Sequence, residues 1–157
     1  FEMGFGTGLN AWLSALSAEK FKLKTSYFGI EKFPVEAKIY EKFPDDLRVF
    51  HQSEWNKDVQ INELFIFKKQ NISLEEIEVE SDFNLIYYDA FAPEAQPELW
   101  TEEIFKKLFD ALVIGGILTT YCSKGYVQRN LKAAGFIVEK HPGPPHKREV
   151  LRAIKQI

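Results

Sequence analysis

The segment Gly4-Phe5-Gly6-Thr7-Gly8 constrains the fold of this chain more than any other feature. It follows a very short apolar start and precedes residues 9–20, where apolar side chains recur at helical spacing. Glycines permit a positive φ angle and let a ligand approach the backbone with no Cβ in the way. Because a helix N-terminus offers free N–H groups to an anionic ligand, the segment predicts a strand, a ligand-binding loop and a helix.

The rest of the chain alternates apolar runs with amphipathic stretches, which is typical of an α/β fold with a mainly parallel, doubly wound sheet. The predicted strands are 26–30, 64–67, 83–88 and 117–121. The predicted helices after the first are 35–43, which Pro44 ends, 101–112, with Thr101 as its N-cap, and 126–134, which Gly135 closes. Two final strands, 136–139 and 149–154, flank a proline-rich turn and predict a C-terminal antiparallel hairpin. The length of 157 residues suits a single domain, which we assign to 1–157.

Composition excludes several classes of protein. The chain is 45% hydrophobic, 15% aromatic and 27% charged, which excludes a disordered tail, a collagen-like fibre and a coiled coil. No run approaches the ~18 apolar residues that span a bilayer, so we expect no membrane segment. The single cysteine, Cys122, indicates a reducing, cytoplasmic compartment, and we expect it to be a buried packing residue. His51, His141 and His146 have no partners at metal-ligand spacing, so we expect no metal and assign them no chemistry.

Charge is uneven along the chain. Residues 120–157 contain eight basic and two acidic residues, whereas the rest contains twelve basic and twenty-one acidic ones. A basic end on an acidic body favours a polyanionic partner, and nucleic acid is the usual one. A solvated lysine-rich surface is the alternative interpretation. The candidate phosphate contacts are Lys124, Arg129, Lys147 and Arg148.

The glycine segment has an acidic partner. Its spacing, G-x-G-x-G with Glu2 two residues ahead, departs from the G-x-G-x-x-G of dinucleotide-binding loops. Glu31 ends the second predicted strand, where an acid can accept hydrogen bonds from both ribose hydroxyls of a nucleoside. A purely structural glycine turn is the alternative. Together with the terminal hairpin, the pattern resembles Rossmann-like class I methyltransferases. That resemblance implies S-adenosylmethionine as cofactor, held by Glu2, Gly4, Phe5, Gly6, Thr7, Gly8, Glu31, Lys32 and either Gln70 or Asn71.

A second candidate site follows the strand at 83–88. Asp89 closes this strand at its carboxyl end, which is where open α/β sheets bind ligands. An Asp at the end of an apolar strand is desolvated on one side, so we expect it to have a partner or a chemical task. Capping of the following loop is the alternative. Phe91 and Trp100 either pack in the core or reach a ligand.

Several blocks carry a closer resemblance. MGFGTGLN (3–10), IEKFP (30–34), DAFAPEAQPELWT (89–101) and GGILTTYCSKG (115–125) closely resemble, in order, the methyltransferase domain of the MnmC family of tRNA-modifying bifunctional proteins. The resemblance implies methylation of the exocyclic amine of 5-aminomethyl-2-thiouridine at the tRNA wobble position. Because the family's FAD-dependent oxidase has no room here, we expect no FAD and a separate enzyme that supplies the aminomethyl intermediate. We also expect that the family's segment ahead of the glycine loop is missing from this chain.

The resemblance further implies roles for individual residues. Asp89 is the candidate catalytic residue, and tRNA is the expected partner. The substrate contacts would be Phe91, Pro93, Trp100 and Tyr121, together with the basic residues named above. Two alternatives stay open: a methyl- or aminopropyltransferase that acts on a small amine, and a non-catalytic Rossmann-like binding module. A polyamine substrate would favour an acidic pocket, and the basic C-terminal stretch argues against it. The oligomeric state is left open.

Overall fold

A computed structural model describes residues 1–78, 82–143 and 149–156. The chain divides into two compact units. The N-terminal unit is Glu2–Ser73, and the C-terminal unit combines Phe1 with Leu74–Ile157. Phe1 belongs to the second unit because its ammonium donates to the Leu85 carbonyl and its own carbonyl accepts from the Tyr87 N–H.

The N-terminal unit contains a four-stranded sheet and three helices among its described residues. In chain order they are β1 (Glu2–Met3), α1 (Leu9–Phe21), β2 (Thr25–Ile30), α2 (Ala37–Tyr40), α3 (Asp45–Gln52), β3 (Val59–Asn62) and β4 (Phe65–Gln70). The strand order is β3-β4-β2-β1. Strands β1 and β4 run parallel to β2, and β3 runs antiparallel to β4. The carboxyl ends of the three parallel strands therefore meet at one edge of this sheet.

The helix predicted at 35–43 is shorter than expected, and two further elements were not predicted. Only Ala37–Tyr40 is helical, and Pro44 precedes a new helix, α3, instead of simply ending the old one. Proline suits a helix start because it lacks an N–H. Asp45 and Asp46 in the first turn stabilise the helix, because their negative charges interact favourably with the positive end of its dipole. The antiparallel edge strand β3 was missed as well.

Helix α1 packs through its small residues. Ala11, Ala15 and Ala18 are buried, whereas the leucines of the predicted apolar stripe are 44–48% exposed. Alanine on the inner face lets a helix backbone lie close to its neighbours, and the bulk in this unit comes from buried aromatic rings. The buried rings are Phe5, Tyr27, Phe50, Phe65 and Phe67. Burial of each such side chain contributes roughly 1.5–3 kcal/mol to folding.

The C-terminal unit contains the other four strands. Its described elements are β5 (Phe83–Tyr88), a short 3₁₀ turn (Pro97–Trp100), α4 (Glu102–Ala111), β6 (Leu112–Thr120), α5 (Gly125–Ala133), β7 (Ile137–Pro142) and β8 (Glu149–Ile154). The order is β5-β6-β8-β7, with β5 parallel to β6 and with β8 antiparallel to both β6 and β7. The predicted α/β fold with a C-terminal antiparallel hairpin is therefore confirmed, and the single-domain assignment stays a prediction.

Two details of this unit differ from the sequence expectation. Strand β5 is less buried than its composition indicated, since Asn84 and Leu85 are exposed while Ile86 and Tyr88 are buried. Strand β6 begins earlier, at Leu112, and runs through the glycines that were expected to precede it. Within the described part of the chain, no helix has the length and apolar character needed to cross a bilayer.

Gly135 ends α5 as predicted and gives a test of this packing. Its φ is +107°, and a Cβ there would lie 3.2 Å from the ring of Phe109. We expect Gly135→Ala to lower the free energy of unfolding by about 1–2 kcal/mol, because alanine is strained at positive φ. The matched control is Gly125→Ala, whose new Cβ would meet Arg129 Nη1 at an ordinary 3.5 Å. Urea unfolding of both variants measures the difference, and equal stability would contradict this account.

Candidate functional site

The glycine loop has the left-handed backbone that its sequence predicts. Gly4, Gly6 and Gly8 have φ angles of 88°, 51° and 78°. The N–H groups of Gly4 and Phe5 both donate to the Ile30 carbonyl at 3.1 Å, which ties the loop to the end of β2. Among the described residues no side chain caps the start of α1, where Gly8 is the N-cap. The first-turn N–H groups of α1 are therefore left without a side-chain acceptor.

Glu31 lies at the carboxyl end of β2 and binds this loop directly. One carboxylate oxygen, Oε2, accepts the Gly6 N–H at 2.9 Å, and the other, Oε1, accepts the Phe33 N–H at 2.8 Å. The side chain is 8% exposed. Each carboxylate oxygen has a second lone pair, so the predicted contact with ribose hydroxyls stays possible in chemical terms. The structure adds a role that the sequence did not reveal: Glu31 sets the shape of the loop.

Glu2 is a buried anchor. It is 1% exposed; its Oε1 accepts from Asn10 Nδ2 and its Oε2 accepts from Tyr27 Oη, both at 2.8 Å. These bonds connect β1 to the first turn of α1 and to β2. The sequence predicted direct cofactor contact for Glu2, and the structure corrects this: the carboxylate points into the interior. Phe5 is likewise buried, at 3% exposure, and its backbone N–H and carbonyl are bonded to Ile30 and Gly8.

The residues after β4 support Glu31 from the other side. Asn71 Nδ2 donates to the carbonyls of Glu31 and Lys32, at 2.6 and 3.2 Å, and the Gln70 carbonyl accepts the Glu31 N–H at 3.0 Å. The sequence proposed Gln70 or Asn71 for the adenine amino group. The structure binds Asn71 Nδ2 to the backbone just after β2. An amino group needs an acceptor, so a contact with the side-chain oxygen of Gln70 or Asn71 stays a prediction. The Lys32 side chain is exposed at the same edge.

His51 and Lys69 were missed by sequence reasoning. His51 Nε2 lies 2.9 Å from the Thr7 carbonyl in the glycine loop, although the sequence assigned this histidine no chemistry. Burial lowers the pKa of His51 below 6.5, the hydrogen bond to Thr7 opposes that shift, and the charge of Lys69 adds to it. Lys69 is 1% exposed and donates to the carbonyls of Phe50 and His51, and burial lowers its pKa to about 8.

In the C-terminal unit, Asp89 directly follows β5 and its side chain is exposed. The sequence predicted an aspartate that is desolvated on one side and has a partner or a chemical task, and this stays a prediction. Phe91, two residues later, is 57% exposed. Both residues therefore lie exposed on a loop whose other aromatic residue, Trp100, is buried.

Four side chains hold the backbone of residues 90–100 in place. Tyr121 Oη donates to the Ala90 carbonyl at 2.9 Å, Trp100 Nε1 donates to Phe91 at 3.0 Å, and Asn130 Nδ2 donates to Trp100 at 2.8 Å. Tyr88 Oη donates to the Leu99 carbonyl. Burial, with smaller contributions from Cys122 and Asp89, raises the pKa of Tyr121 to about 12, so its hydroxyl stays protonated and can donate.

This arrangement changes three of the predicted substrate contacts. Trp100 is 1% exposed and Pro93 is buried, so both are packing residues of the loop and not base-stacking surfaces. Tyr121 is partly buried with its hydroxyl engaged by Ala90, which makes it a support for the loop. Cys122 is buried as predicted, and burial raises the pKa of its thiol. Sequence reasoning could not separate these aromatic roles, because composition does not show which ring faces inward.

The basic candidates differ in their surroundings. Arg129 is exposed on α5, whereas Lys124 forms a surface ion pair with Glu94. Lys147 and Arg148 lie outside the described residues. Across residues 1–78, 82–143 and 149–156, no group of three or more His, Cys, Asp or Glu side chains is placed to hold a metal ion.

Comparison with known families identifies this arrangement. Residues 31–156 match a family described as S-adenosyl-L-methionine-dependent methyltransferase. The chain belongs to this methyltransferase family. The match covers most of the chain, including Glu31 and the Asp89 loop, and it agrees with the G-x-G-x-G loop that precedes it.

The methyltransferase is also similar to curated proteins from several bacteria that all carry the name MnmC. It is 31% identical to the tRNA 5-methylaminomethyl-2-thiouridine biosynthesis bifunctional protein MnmC of Campylobacter hominis, over 97% of this chain and 25% of that protein. It is 31% identical to the MnmC of Pseudomonas fluorescens, over 96% of this chain and 26% of that protein. The chain thus spans about a quarter of the length of these relatives.

Solved structures share the fold. The crystal structure of MNMC2 from Aquifex aeolicus has a TM-score of 0.74 and 23% identity, over 98% of this chain and 52% of that one. A Haemonchus contortus phosphoethanolamine N-methyltransferase solved with S-adenosylhomocysteine has a TM-score of 0.58 and 13% identity, over 99% of this chain and 48% of that one. These likenesses confirm the predicted Rossmann-like methyltransferase fold.

The contacts of Glu31 predict how much this residue contributes to the affinity for S-adenosylmethionine. We expect Glu31→Gln to weaken S-adenosylmethionine binding about 10- to 100-fold, because one of the two backbone N–H groups loses its charged acceptor. The matched control is Glu36→Gln, which neutralises a carboxylate in a surface ion pair with Lys38. Calorimetric titration of both variants measures the affinity. An equal affinity in both would contradict the role of Glu31, provided that their melting temperatures agree.

Proposed function

We propose that this methyltransferase methylates the exocyclic amine of 5-aminomethyl(-2-thio)uridine at the tRNA wobble position and yields the 5-methylaminomethyl product. The observation that carries the proposal is the loop after β5, in which Asp89 and Phe91 are exposed while four side chains fix the backbone around them. The names of the MnmC relatives supply the tRNA product. We further propose that a separate enzyme supplies the aminomethyl intermediate and that the reaction occurs in the cytoplasm.

The glycine loop fits S-adenosylmethionine as the methyl donor. Its three left-handed glycines and the uncapped start of α1 leave room and N–H donors for an anionic carboxylate. Glu31 would accept the ribose hydroxyls with its remaining lone pairs, and Lys32 and the Gln70 side chain would flank the adenosine. When bound, S-adenosylmethionine supplies an electrophilic methyl carbon on a sulfonium. The protein then has to orient the amine and exclude competing water.

The substrate amine must arrive neutral. An alkylammonium with a pKa near that of lysine is free base on the order of one part in a thousand at pH 7. A carboxylate in contact with the ammonium favours the charged, unreactive form. Asp89 therefore helps by accepting a hydrogen bond from one N–H of the neutral amine, so that the lone pair of the amine nitrogen points at the methyl carbon. Its exposure to solvent supports a secondary role, in which it passes the released proton on to water.

Two surfaces of the C-terminal unit suit a tRNA substrate. Phe91, with 57% of its surface exposed, offers a ring on which an unstacked base can stack. Arg129 and Lys132 are exposed on α5 and can contact phosphates. Lys124 would leave its surface ion pair with Glu94 and bind a phosphate instead.

Nucleoside mass spectrometry tests the proposal. The purified chain is incubated with S-adenosylmethionine and tRNA that carries 5-aminomethyl(-2-thio)uridine. In parallel, the chain is incubated with free putrescine and either S-adenosylmethionine or its decarboxylated form, which carries the aminopropyl group. We expect 5-methylaminomethyl(-2-thio)uridine to form and the free amines to remain unchanged. Methylation or aminopropylation of the free amines alone would favour the small-amine transferase. Cofactor binding with no transfer to any acceptor would favour a binding module.

Asp89 gives a sharper test of the mechanism. We expect Asp89→Ala to lower kcat about 100-fold or more, because the amine loses its orienting and proton-accepting group. S-adenosylmethionine affinity should change less than about twofold. The control is Asp82→Ala, which removes another exposed aspartate just before β5. Turnover of the Asp89 variant equal to that of the Asp82 variant would remove Asp89 from the mechanism.

Salt dependence tests the basic surface. We expect Arg129→Gln to weaken tRNA binding and to reduce the slope of log Kd against log salt by about one, since one phosphate contact is lost. Lys42→Gln is the charge-matched control, because Lys42 is exposed among Glu41, Asp45 and Asp46. Fluorescence anisotropy between low and physiological salt measures both slopes. A slope unchanged in the Arg129 variant would exclude this residue from tRNA binding.

A further inference from the structure

His51 contacts the glycine loop from within the N-terminal unit. Its side chain is buried, and its Nε2 lies 2.9 Å from the Thr7 carbonyl. A carbonyl oxygen only accepts hydrogen bonds, so Nε2 must carry the hydrogen and donate. This contact spans 44 residues in sequence and links α3 to the loop.

The hydrogen bond fixes one particular peptide group. The Thr7–Gly8 peptide has its carbonyl held by His51 and its N–H held by the Phe5 carbonyl at 2.9 Å. The Gly8 carbonyl then accepts the Trp12 N–H at 3.0 Å, which begins α1. The orientation of this peptide therefore sets the direction of the free N–H groups in the first turn of α1.

Packing against three aromatic rings contributes to the orientation of His51 together with the hydrogen bond to Thr7. Tyr40 stacks on it with centroids 5.0 Å apart, and Phe5 and Phe43 contact it at 5.1 and 5.4 Å. The ring also borders a cavity of about 230 Å³, so its surroundings are not close-packed. The backbone of His51 is held independently, because the buried Lys69 ammonium donates to the Phe50 and His51 carbonyls.

We infer that His51 is a positioning residue, which fixes the Thr7–Gly8 peptide and thereby the loop that binds the methyl donor. Glu31 holds the Gly6 end of this loop, and His51 holds the Gly8 end. The inference rests on the proposed cofactor role of the loop, and it adds a residue to which neither the sequence motif nor the family resemblance points.

The charge state of His51 follows from its neighbours. The titratable groups that face it are Lys69 on β4 and Tyr40 on α2, and burial disfavours its charged form most. The folded protein therefore keeps His51 neutral to a lower pH than the unfolded chain, which takes up a proton near pH 6.5. The stability that this group contributes is complete above pH 6.5 and is lost as the pH falls below it.

Three variants test the inference in the full chain. His51→Leu keeps the bulk and removes the donor, while His51→Gln can place an amide N–H near the position of Nε2. Phe43→Leu removes a ring contact with His51 and leaves the hydrogen bond intact, so it controls for packing. The readouts are the ¹⁵N chemical shifts of His51, hydrogen exchange of the Gly8 amide, melting temperature and S-adenosylhomocysteine affinity by calorimetry.

We expect an Nε2–H tautomer in the wild-type protein. His51→Leu should speed exchange of the Gly8 amide and weaken S-adenosylhomocysteine binding about 3- to 10-fold, the effect of one hydrogen bond. His51→Gln should restore both properties and remove the loss of stability below pH 6.5. Phe43→Leu should lower the melting temperature and leave both properties unchanged.

Several results would overturn the inference: an Nδ1–H tautomer, no gain from His51→Gln over His51→Leu, or equal effects of His51→Leu and Phe43→Leu. Failure of the proposed function appears differently. If the wild-type chain does not bind S-adenosylhomocysteine, the cofactor role of the loop is wrong. Tautomer and amide exchange, both measured without ligand, then still decide whether His51 positions the loop.

Discussion

The carboxylate of Glu31 bound to the Gly6 N–H is the interaction on which the functional part of this molecule depends. Three of the five residues in this loop are glycines at positive φ without side chains to restrict the backbone, so its peptide groups must be held by the residues around it. Glu31 and the Ile30 carbonyl bind the first half of the loop, and His51 binds the second half. What remains for a ligand is a set of N–H groups at the start of α1.

The C-terminal unit also has a loop whose backbone is held by hydrogen bonds, but this loop is built from bulky residues instead of glycines. The loop after Asp89 is rich in proline and aromatic residues, and its carbonyls receive hydrogen bonds from Tyr88, Trp100, Tyr121 and Asn130. Because these donors are buried or partly buried, they fix the loop without competing for a substrate. Asp89 and Phe91 are left exposed on a loop held by hydrogen bonds, which suits the proposed methyl transfer to a positioned amine.

Local patterns predicted most of the elements. Thr101 does cap α4, with its hydroxyl accepting the Ile104 N–H, and Gly135 does end α5. The errors have physical causes. Pro44 was assigned one of its two possible roles, the end of a helix, although it begins α3. Strand β3 was missed because it lies at the edge of the sheet, where a strand does not need the run of apolar residues by which the other strands were predicted. The leucines of α1 were periodic, yet the alanines face the core.

Lys69 and His51 show which features could be predicted from the local sequence pattern and which depend on the tertiary structure. The alternation of β4 already places Lys69 on the same face as Phe65 and Phe67, so a buried lysine could have been predicted from the sequence. Its partners could not, because they are carbonyls of α3, and a carbonyl has no signature in the sequence. The sequence by itself determined the α/β order, the glycine loop, its partner Glu31 and the position of the loop that begins at Asp89, since each depends on neighbouring residues or on a recurrent motif. Only the tertiary structure decided that Glu2 is a buried anchor in the N-terminal unit, that Trp100 and Tyr121 support the Asp89 loop in the C-terminal unit and that His51 holds the glycine loop. Burial and long-range hydrogen bonds depend on which residues the fold brings together.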